Sequence, residues 1–262
     1  MRIARVCRRA SSSMFQVAAR EVGQERSDLP LWAARESSAA EAFAFLSEPP
    51  AREVAWREVP GVRGGFQLLD LLSAEECRGF IDILDSLGFH SDAAVSLPYN
   101  FRHMTNCNLV VPEEVDARLF ERCRRLLPDV AGHPPLGLNA KFRCYRYAAG
   151  DYFRPHTDGA WPGSRFRDGQ YLADAYGDRM SQFTFLILLG DGYEGGSTSF
   201  YPVTKTPLGG ALCFPHGFHP DSPLHGGSEV LSGIKYIVRS EVLYSSEALK
   251  DLTRARHDAG KL

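Results

Sequence analysis

The chain reads as a mainly β protein with flanking helices. Two observations predict this. From Leu138 onward, short apolar runs are cut repeatedly by Gly and Pro: KFRCYRY, SQFTFLILL, STSFYPV, GALCFPH and IKYIVRSEVLY. Many short strands with frequent turns read as a sandwich or barrel. Before that point, two stretches carry helical spacing and suit helices that brace a sheet.

The elements follow in order. Residues 1–50 are rich in Ala, Ser, Glu and Arg and end at Pro49-Pro50, so weak order or a targeting role is expected there. The first twenty residues hold five arginines and no acid before Glu21. That composition suits either an organelle transit peptide (mitochondrion or plastid) or a basic tail on a cytoplasmic protein. The folded part is expected to begin near Ala55, with VAWREVPGVRGGFQLLDLL alternating in polarity. Residues 51–137 then supply helical support and the first strands. Ser73-Ala74-Glu75-Glu76 is a capping box that opens a helix through CRGFIDILDSLGF, with Gly88 at its end. In PEEVDARLFERCRRLLPDV, Val115, Leu119, Phe120, Cys123 and Leu126 repeat at helical spacing, and Pro128 closes the helix. Residues 138–246 form the β core, and 247–262 a C-terminal tail, read as a short exposed helix or a fraying end.

Composition narrows the function classes. A chain of 262 residues can bury a full core without disulfides or a structural metal. A net charge of -2 gives no reason to expect a nucleic-acid partner, and no apolar run is long enough for a membrane span. The six cysteines (Cys7, Cys77, Cys107, Cys123, Cys144, Cys213) contain no CxxC pair and read as reduced thiols of an intracellular protein.

The most informative residues are His156, Asp158 and, 69 positions after His156, His225. In an extended strand, positions i and i+2 share a side, so His156 and Asp158 can grip one metal. A second pair, His219 and Asp221, is separated by Pro220, which suits a loop. His216, His219 and His225 all compete for the third ligand. His225 is preferred because Lys235, Ile237 and Arg239 follow it and alternate onto one strand face. A buried cation there needs an anionic partner, which a dicarboxylate co-substrate supplies; the plainer reading is a surface cation on an edge strand. Two histidines and a carboxylate form the facial triad of non-haem Fe(II) oxygenases, with positions left open for a co-substrate and O2.

Four blocks resemble, in order, the 2-oxoglutarate- and Fe(II)-dependent dioxygenases, particularly the prolyl 4-hydroxylase-like branch. They are GLNAKFRCYRYAAGDYFRPHTDG, SQFTFLILLGDGYEGGSTSFY, PLGGALCFPH and HGGSEVLSGIKYIVRSEVLY. The resemblance implies a double-stranded β-helix (jelly-roll, cupin-like) core. It implies iron at His156, Asp158 and His225, and the C5 carboxylate of 2-oxoglutarate at Lys235. Tyr147 matches a co-substrate-binding tyrosine, and Tyr145 shares its strand face. Arg239 is a second co-substrate cation or a partner for Glu241. The implied cofactors are Fe(II), 2-oxoglutarate and O2, with ascorbate as a reductant. The implied reaction hydroxylates a C–H bond of a prolyl or other amino-acid side chain in a peptide, giving succinate and CO2. The alternatives are a small-molecule hydroxylase and a poorly catalytic 2-oxoglutarate or oxygen sensor.

Three departures from that pattern stand out. Leu188 occupies a position where some prolyl hydroxylases have a tyrosine. The segment FPHGFHPDSPLHGG is long between its outer histidines. The stretch 90–110, where substrate-gripping loops are expected, matches no prolyl hydroxylase pattern.

Overall fold

The structure is a computed structural model, and it describes residues 12–46, 49–92, 101–200 and 203–259. Two sheets dominate it. The larger has ten strands. Its spatial order is β1 (Phe15–Glu21), β2 (Leu29–Ala34), β6 (Thr105–Val110), β8 (Lys141–Tyr147), β19 (Lys235–Ser245), β12 (Arg179–Leu188), β16 (Ala211–Pro215), β4 (Phe66–Leu69) and β3 (Ala55–Glu58). The short strand β7 (Gly137–Leu138) also pairs with β19. The smaller sheet runs β15 (Val203–Thr204), β14 (Thr198–Ser199), β17 (His225–Gly227), β9 (Tyr152–His156) and β5 (Arg102–His103). Two ribbons complete the β structure, β10 (Arg165–Arg167) with β11 (Gln170–Leu172) and β13 (Tyr193–Gly195) with β18 (Val230–Gly233). Every pairing is antiparallel except β2 with β6. The result is a jelly-roll of the double-stranded β-helix kind with helices on one side, as the resemblance implies.

Alternation along the central strands explains how one sheet serves two layers. In β12, Phe183, Phe185 and Ile187 belong to the main core, and in β19 so do Val238 and Val242. That core is closed by α2 (Ala74–Leu87) through Phe80, Ile83 and Leu84, and by α3 (Glu113–Cys123) through Val115, Leu119 and Cys123. The opposite parity, Leu186 and Leu188 in β12 and Ile237 in β19, packs in the smaller clusters toward the second sheet. The capping box of α2 forms as expected. Ser73 Oγ accepts from the Glu76 N–H at 3.2 Å, and Glu76 Oε2 accepts from the Ser73 N–H at 2.8 Å. The tail forms α4 (Ser246–Ala259), with Ala248 in the core.

The expectation of weak order before residue 50 is corrected for residues 12–46. Strands β1 and β2 form a hairpin at one edge of the large sheet, followed by the single-turn helix α1 (Ala39–Ala42). Phe15, Leu29, Leu31, Phe43 and Leu46 are buried. Glu21 pairs with Lys141 and accepts from Asn108 Nδ2 at 2.8 Å, which ties the hairpin to β6 and β8. The physical reason is that alternation in LPLWAA buries Leu29, Leu31 and Ala33 on one face, while the rest of the segment is short and rich in alanine. Such a strand looks compositionally like a linker. Residues 1–11, with Arg2, Arg5, Arg8 and Arg9, lie outside the described residues, whereas Arg20 lies in β1. The stretch 90–110 is corrected in part: Thr105–Val110 is the buried strand β6, and 93–100 lie outside the described residues. Cys77, Cys107, Cys123, Cys144 and Cys213 are free, buried thiols. Cys7 is not among the described residues. No helix among the described residues is long and apolar enough to cross a membrane.

Candidate metal centre

Antiparallel pairing of β9 with β17 sets His225 directly opposite His156. Asp158 follows two residues after His156. It differs from the sequence expectation in one respect: β9 ends at His156, so Asp158 sits in the loop beyond it. It is brought back by contacts rather than by strand geometry. The Gly217 N–H donates to the Asp158 carbonyl at 2.9 Å, and Thr184 Oγ1 donates to Asp158 Oδ2 at 2.7 Å. Gly217 has φ +61, and a Cβ there would lie 2.7 Å from Ala160 Cβ, so only glycine allows this approach.

The three side chains converge. Their ligand atoms lie within 4.8 Å of one another, and no other such group of His, Cys, Asp and Glu occurs among the described residues. His156 Nε2 is 3.6 Å from Asp158 Oδ1, and His225 Nε2 is 3.6 Å from Asp158 Oδ2. Each imidazole donates its other nitrogen to a backbone carbonyl: His156 Nδ1 to Arg154 O at 2.9 Å, and His225 Nδ1 to Pro223 O at 3.2 Å. Those bonds fix the Nδ1–H tautomer and leave both Nε2 lone pairs facing the carboxylate, as a metal requires. Burial, more than any charge, pushes the His225 imidazole down to about 4 and so favours its neutral form. Burial alone would raise the Asp158 carboxyl. Arg239 and the two histidines outweigh it and hold the group well below the usual carboxylate range.

The same cleft, about 450 Å³ of space open to solvent, is also lined by Tyr145, Tyr147, Lys235 and Arg239. Lys235 begins β19 and pairs in register with Tyr147 of β8, and Ile237 pairs with Tyr145. The Lys235 ammonium is buried and donates to the Gly196 carbonyl. No carboxylate of the described residues pairs with it. Burial lowers its pKa to about 8. The edge-strand reading of this cation therefore falls, because β19 is flanked by β8 and β12. Gly196 has φ +58, and a Cβ there would lie 3.2 Å from Lys235 Cδ, so the EGG turn admits the lysine stem. Burial pushes the Tyr147 phenol upward, so it stays a hydrogen-bond donor. Arg239 Nη2 is 3.3 Å from Asp158 Oδ1 and 3.6 Å from Glu241 Oε1, and its Nε and Nη2 make no hydrogen bond. Burial opposes the charge on Arg239, but Asp158 and Glu241 raise its pKa overall. Glu241 is already held by Arg143 Nη1 at 2.6 Å and Asn139 Nδ2 at 2.9 Å.

The competing histidines stand apart. His219 lies in a turn, edge-on to Phe183 at 5.6 Å. His216 is fully buried between Ser181 and Thr184. Leu188 packs with Tyr145, Tyr147, Tyr193 and Ile237. Sequence reasoning passed over Thr184, Tyr193 and Phe153. Tyr193 lies with its ring centre 5.8 Å from Lys235 Nζ, and Phe153 stacks on His156 at 3.7 Å. Only the strand alternation that places Thr184 on the face of Leu186 and Leu188 signalled one of them.

The donor set fits a ferrous ion. Two imidazoles and one carboxylate converge on one point and line an open cleft. The buried, carboxylate-free Lys235 and the unsatisfied Arg239 nitrogens fit an anionic co-substrate.

No protein-family model matches the sequence, and no curated protein matches it. Solved structures are similar to it. One is a viral collagen prolyl hydroxylase of Paramecium bursaria Chlorella virus-1 in complex with 2OG. It is 19% identical, with 75% of this chain and 99% of that one covered and a TM-score of 0.46. A Pseudomonas putida prolyl-4-hydroxylase is 16% identical over 68% of this chain and 91% of that one, with a TM-score of 0.46. HygX from Streptomyces hygroscopicus, with nickel, 2-oxoglutarate and hygromycin B bound, is 14% identical over 70% and 82%, with a TM-score of 0.43.

Proposed function

We propose that the chain is an Fe(II)- and 2-oxoglutarate-dependent dioxygenase that hydroxylates a C–H bond, with succinate and CO2 as co-products. One observation carries the proposal: a His–Asp–His cluster and a buried lysine without a carboxylate partner line the same cleft. His156, Asp158 and His225 would hold the metal. Lys235 would pair with the distal carboxylate of the co-substrate, with Tyr147 as a neutral donor beside it. Arg239 stands beside Asp158 and Glu241 with its Nε and Nη2 making no hydrogen bond, and would be a second cation near the co-substrate. Tyr145 lines the same wall. The iron and 2-oxoglutarate, once bound, supply O2 activation coupled to oxidative decarboxylation. The chain's own part is to orient both, keep the His225 imidazole neutral, and limit water around the reacting centre. Phe153 against His156 and Phe200 against His225 serve that last purpose.

The substrate we propose is an amino-acid side chain within a peptide, prolyl first. Support comes from the loop leading into His225, which exposes Phe218 and Leu224 and so offers apolar surface to a peptide. The test is succinate release in the presence of Fe(II), 2-oxoglutarate and a peptide library. Substrate-stimulated succinate supports the enzyme. Tight 2-oxoglutarate binding without stimulation by any peptide or small molecule would identify a sensor instead.

A further inference from the structure

We infer that His216 is a positioning residue that, as its Nδ1–H tautomer, passes a directed chain of hydrogen bonds through Thr184 onto Asp158. The inference rests on the reading of His156, Asp158 and His225 as a metal centre. It assigns work to a histidine that is buried behind those ligands and is not one of them.

Counting protons gives the direction. Thr184 Oγ1 is 2.7 Å from Asp158 Oδ2 and 2.8 Å from His216 Nδ1. An ionised carboxylate only accepts, so the single hydroxyl proton of Thr184 goes to Asp158. His216 Nδ1 must then donate to Thr184. In a neutral ring this leaves Nε2 as an acceptor, and Ser181 Oγ lies 2.8 Å away to donate to it. Ser181 Oγ in turn accepts the Trp161 N–H at 2.8 Å. Each proton in the series has one taker. A buried network satisfied at every step holds its members in one arrangement.

A second contact reinforces the first. The residue after His216 is Gly217, whose N–H holds the Asp158 backbone carbonyl at 2.9 Å. The segment 216–217 therefore holds Asp158 directly through the Gly217 main chain and indirectly through the His216 side chain and Thr184. The grip is needed because Asp158 lies beyond the end of β9, where no ladder fixes it. With Oδ2 engaged by Thr184 and Oδ1 beside Arg239 Nη2 at 3.3 Å, the carboxylate plane is set, and each oxygen also lies 3.6 Å from one imidazole Nε2. The length of the segment between His216 and His225, unexpected from sequence, follows from its two tasks: docking on Asp158, then delivering a ligand.

The test uses the full-length, metal-free protein labelled with ¹⁵N-histidine, and Co(II) as the probe metal. Long-range proton–nitrogen spectra should show His216 protonated on Nδ1 and bare on Nε2. The signal is assigned by its loss in His216→Gln. Thr184→Val should weaken Co(II) binding tenfold to a hundredfold, the range for lost partners of metal ligands, and Thr184→Ser should restore it. Circular dichroism checks that each variant folds. An Nε2–H tautomer overturns the inference, even if Thr184→Val does not fold. So does unchanged Co(II) affinity in a folded Thr184→Val. If the wild-type protein takes up no Co(II), the metal-centre reading itself fails, and that result is distinct from a failure confined to Thr184.

Discussion

Replacing Lys235 by methionine should make the empty protein more stable and the loaded one less able to form. The side chain is 5% exposed, and burial alone lowers its pKa from 10.5 to about 8. At about 1.4 kcal/mol per pKa unit, carrying that charge costs the fold about 3 kcal/mol near neutral pH. Methionine has similar length and no charge. The lost hydrogen bond to the Gly196 carbonyl takes back about 1 kcal/mol. The net gain is about 2 kcal/mol, or roughly 4–8 °C in Tm for a chain of this size. The sign can be checked with pH. Between 8 and 10.5 the unfolded chain binds the proton that the folded one has released, so wild-type stability rises with pH across that window. The advantage of Lys235→Met should shrink over the same range. In contrast, 2-oxoglutarate affinity should fall about tenfold to a hundredfold, the worth of a charge-assisted bond of roughly 1.5–3 kcal/mol. Thermal melts from pH 7 to 10 and a co-substrate titration measure both effects. A variant that is less stable at pH 7 and has an unchanged 2-oxoglutarate requirement would refute this reasoning.

Alanine at His156, Asp158 or His225 should abolish tight Co(II) or Fe(II) uptake, while His219→Ala should keep it; isothermal titration decides, and the reverse pattern would move the third ligand to His219. A chain beginning at Glu53 should lose cooperative folding, because Phe15, Leu29, Leu31, Phe43 and Leu46 leave the core and Lys141 stays behind without Glu21. An unaltered melting curve for the shortened chain would contradict the packing seen here. The metal-free protein should lose stability as pH falls from 6.5 toward 4, since burial holds His216 and His225 at about 4 while the unfolded chain takes up protons below 6.5. The loss is at most about 3 kcal/mol per histidine, and urea unfolding at several pH values checks it; a flat profile would count against buried neutral rings.

The central strands were legible because burial on two faces leaves short, largely apolar runs such as FTFLILL between turn residues, and helix α2 because its cap is local. The gathering of His156, Asp158 and His225 was legible through spacing and resemblance, but the placing of Asp158 outside β9 was not. It depends on Gly217 and Thr184, which are remote in sequence from Asp158. The N-terminal hairpin escaped notice for a similar reason. Its partner β6 lies 77 positions away in register, Leu31 against Asn108, and nothing local announces a parallel pairing. Lys235 could be placed on a face, but whether that face was wet or buried depended on β8 and β12 closing around it.

The two histidines hang from the small sheet, whereas the carboxylate is moored through Thr184 to the large one. A bound divalent ion would therefore act as a rivet between two walls that otherwise meet along short strands. Its removal would do more than empty a site: the small sheet, whose strands run from two to five residues, would be free to swing outward. Protease sensitivity concentrated between residues 150 and 160 and between 216 and 228 in chelated protein would be the visible trace of that loosened wall.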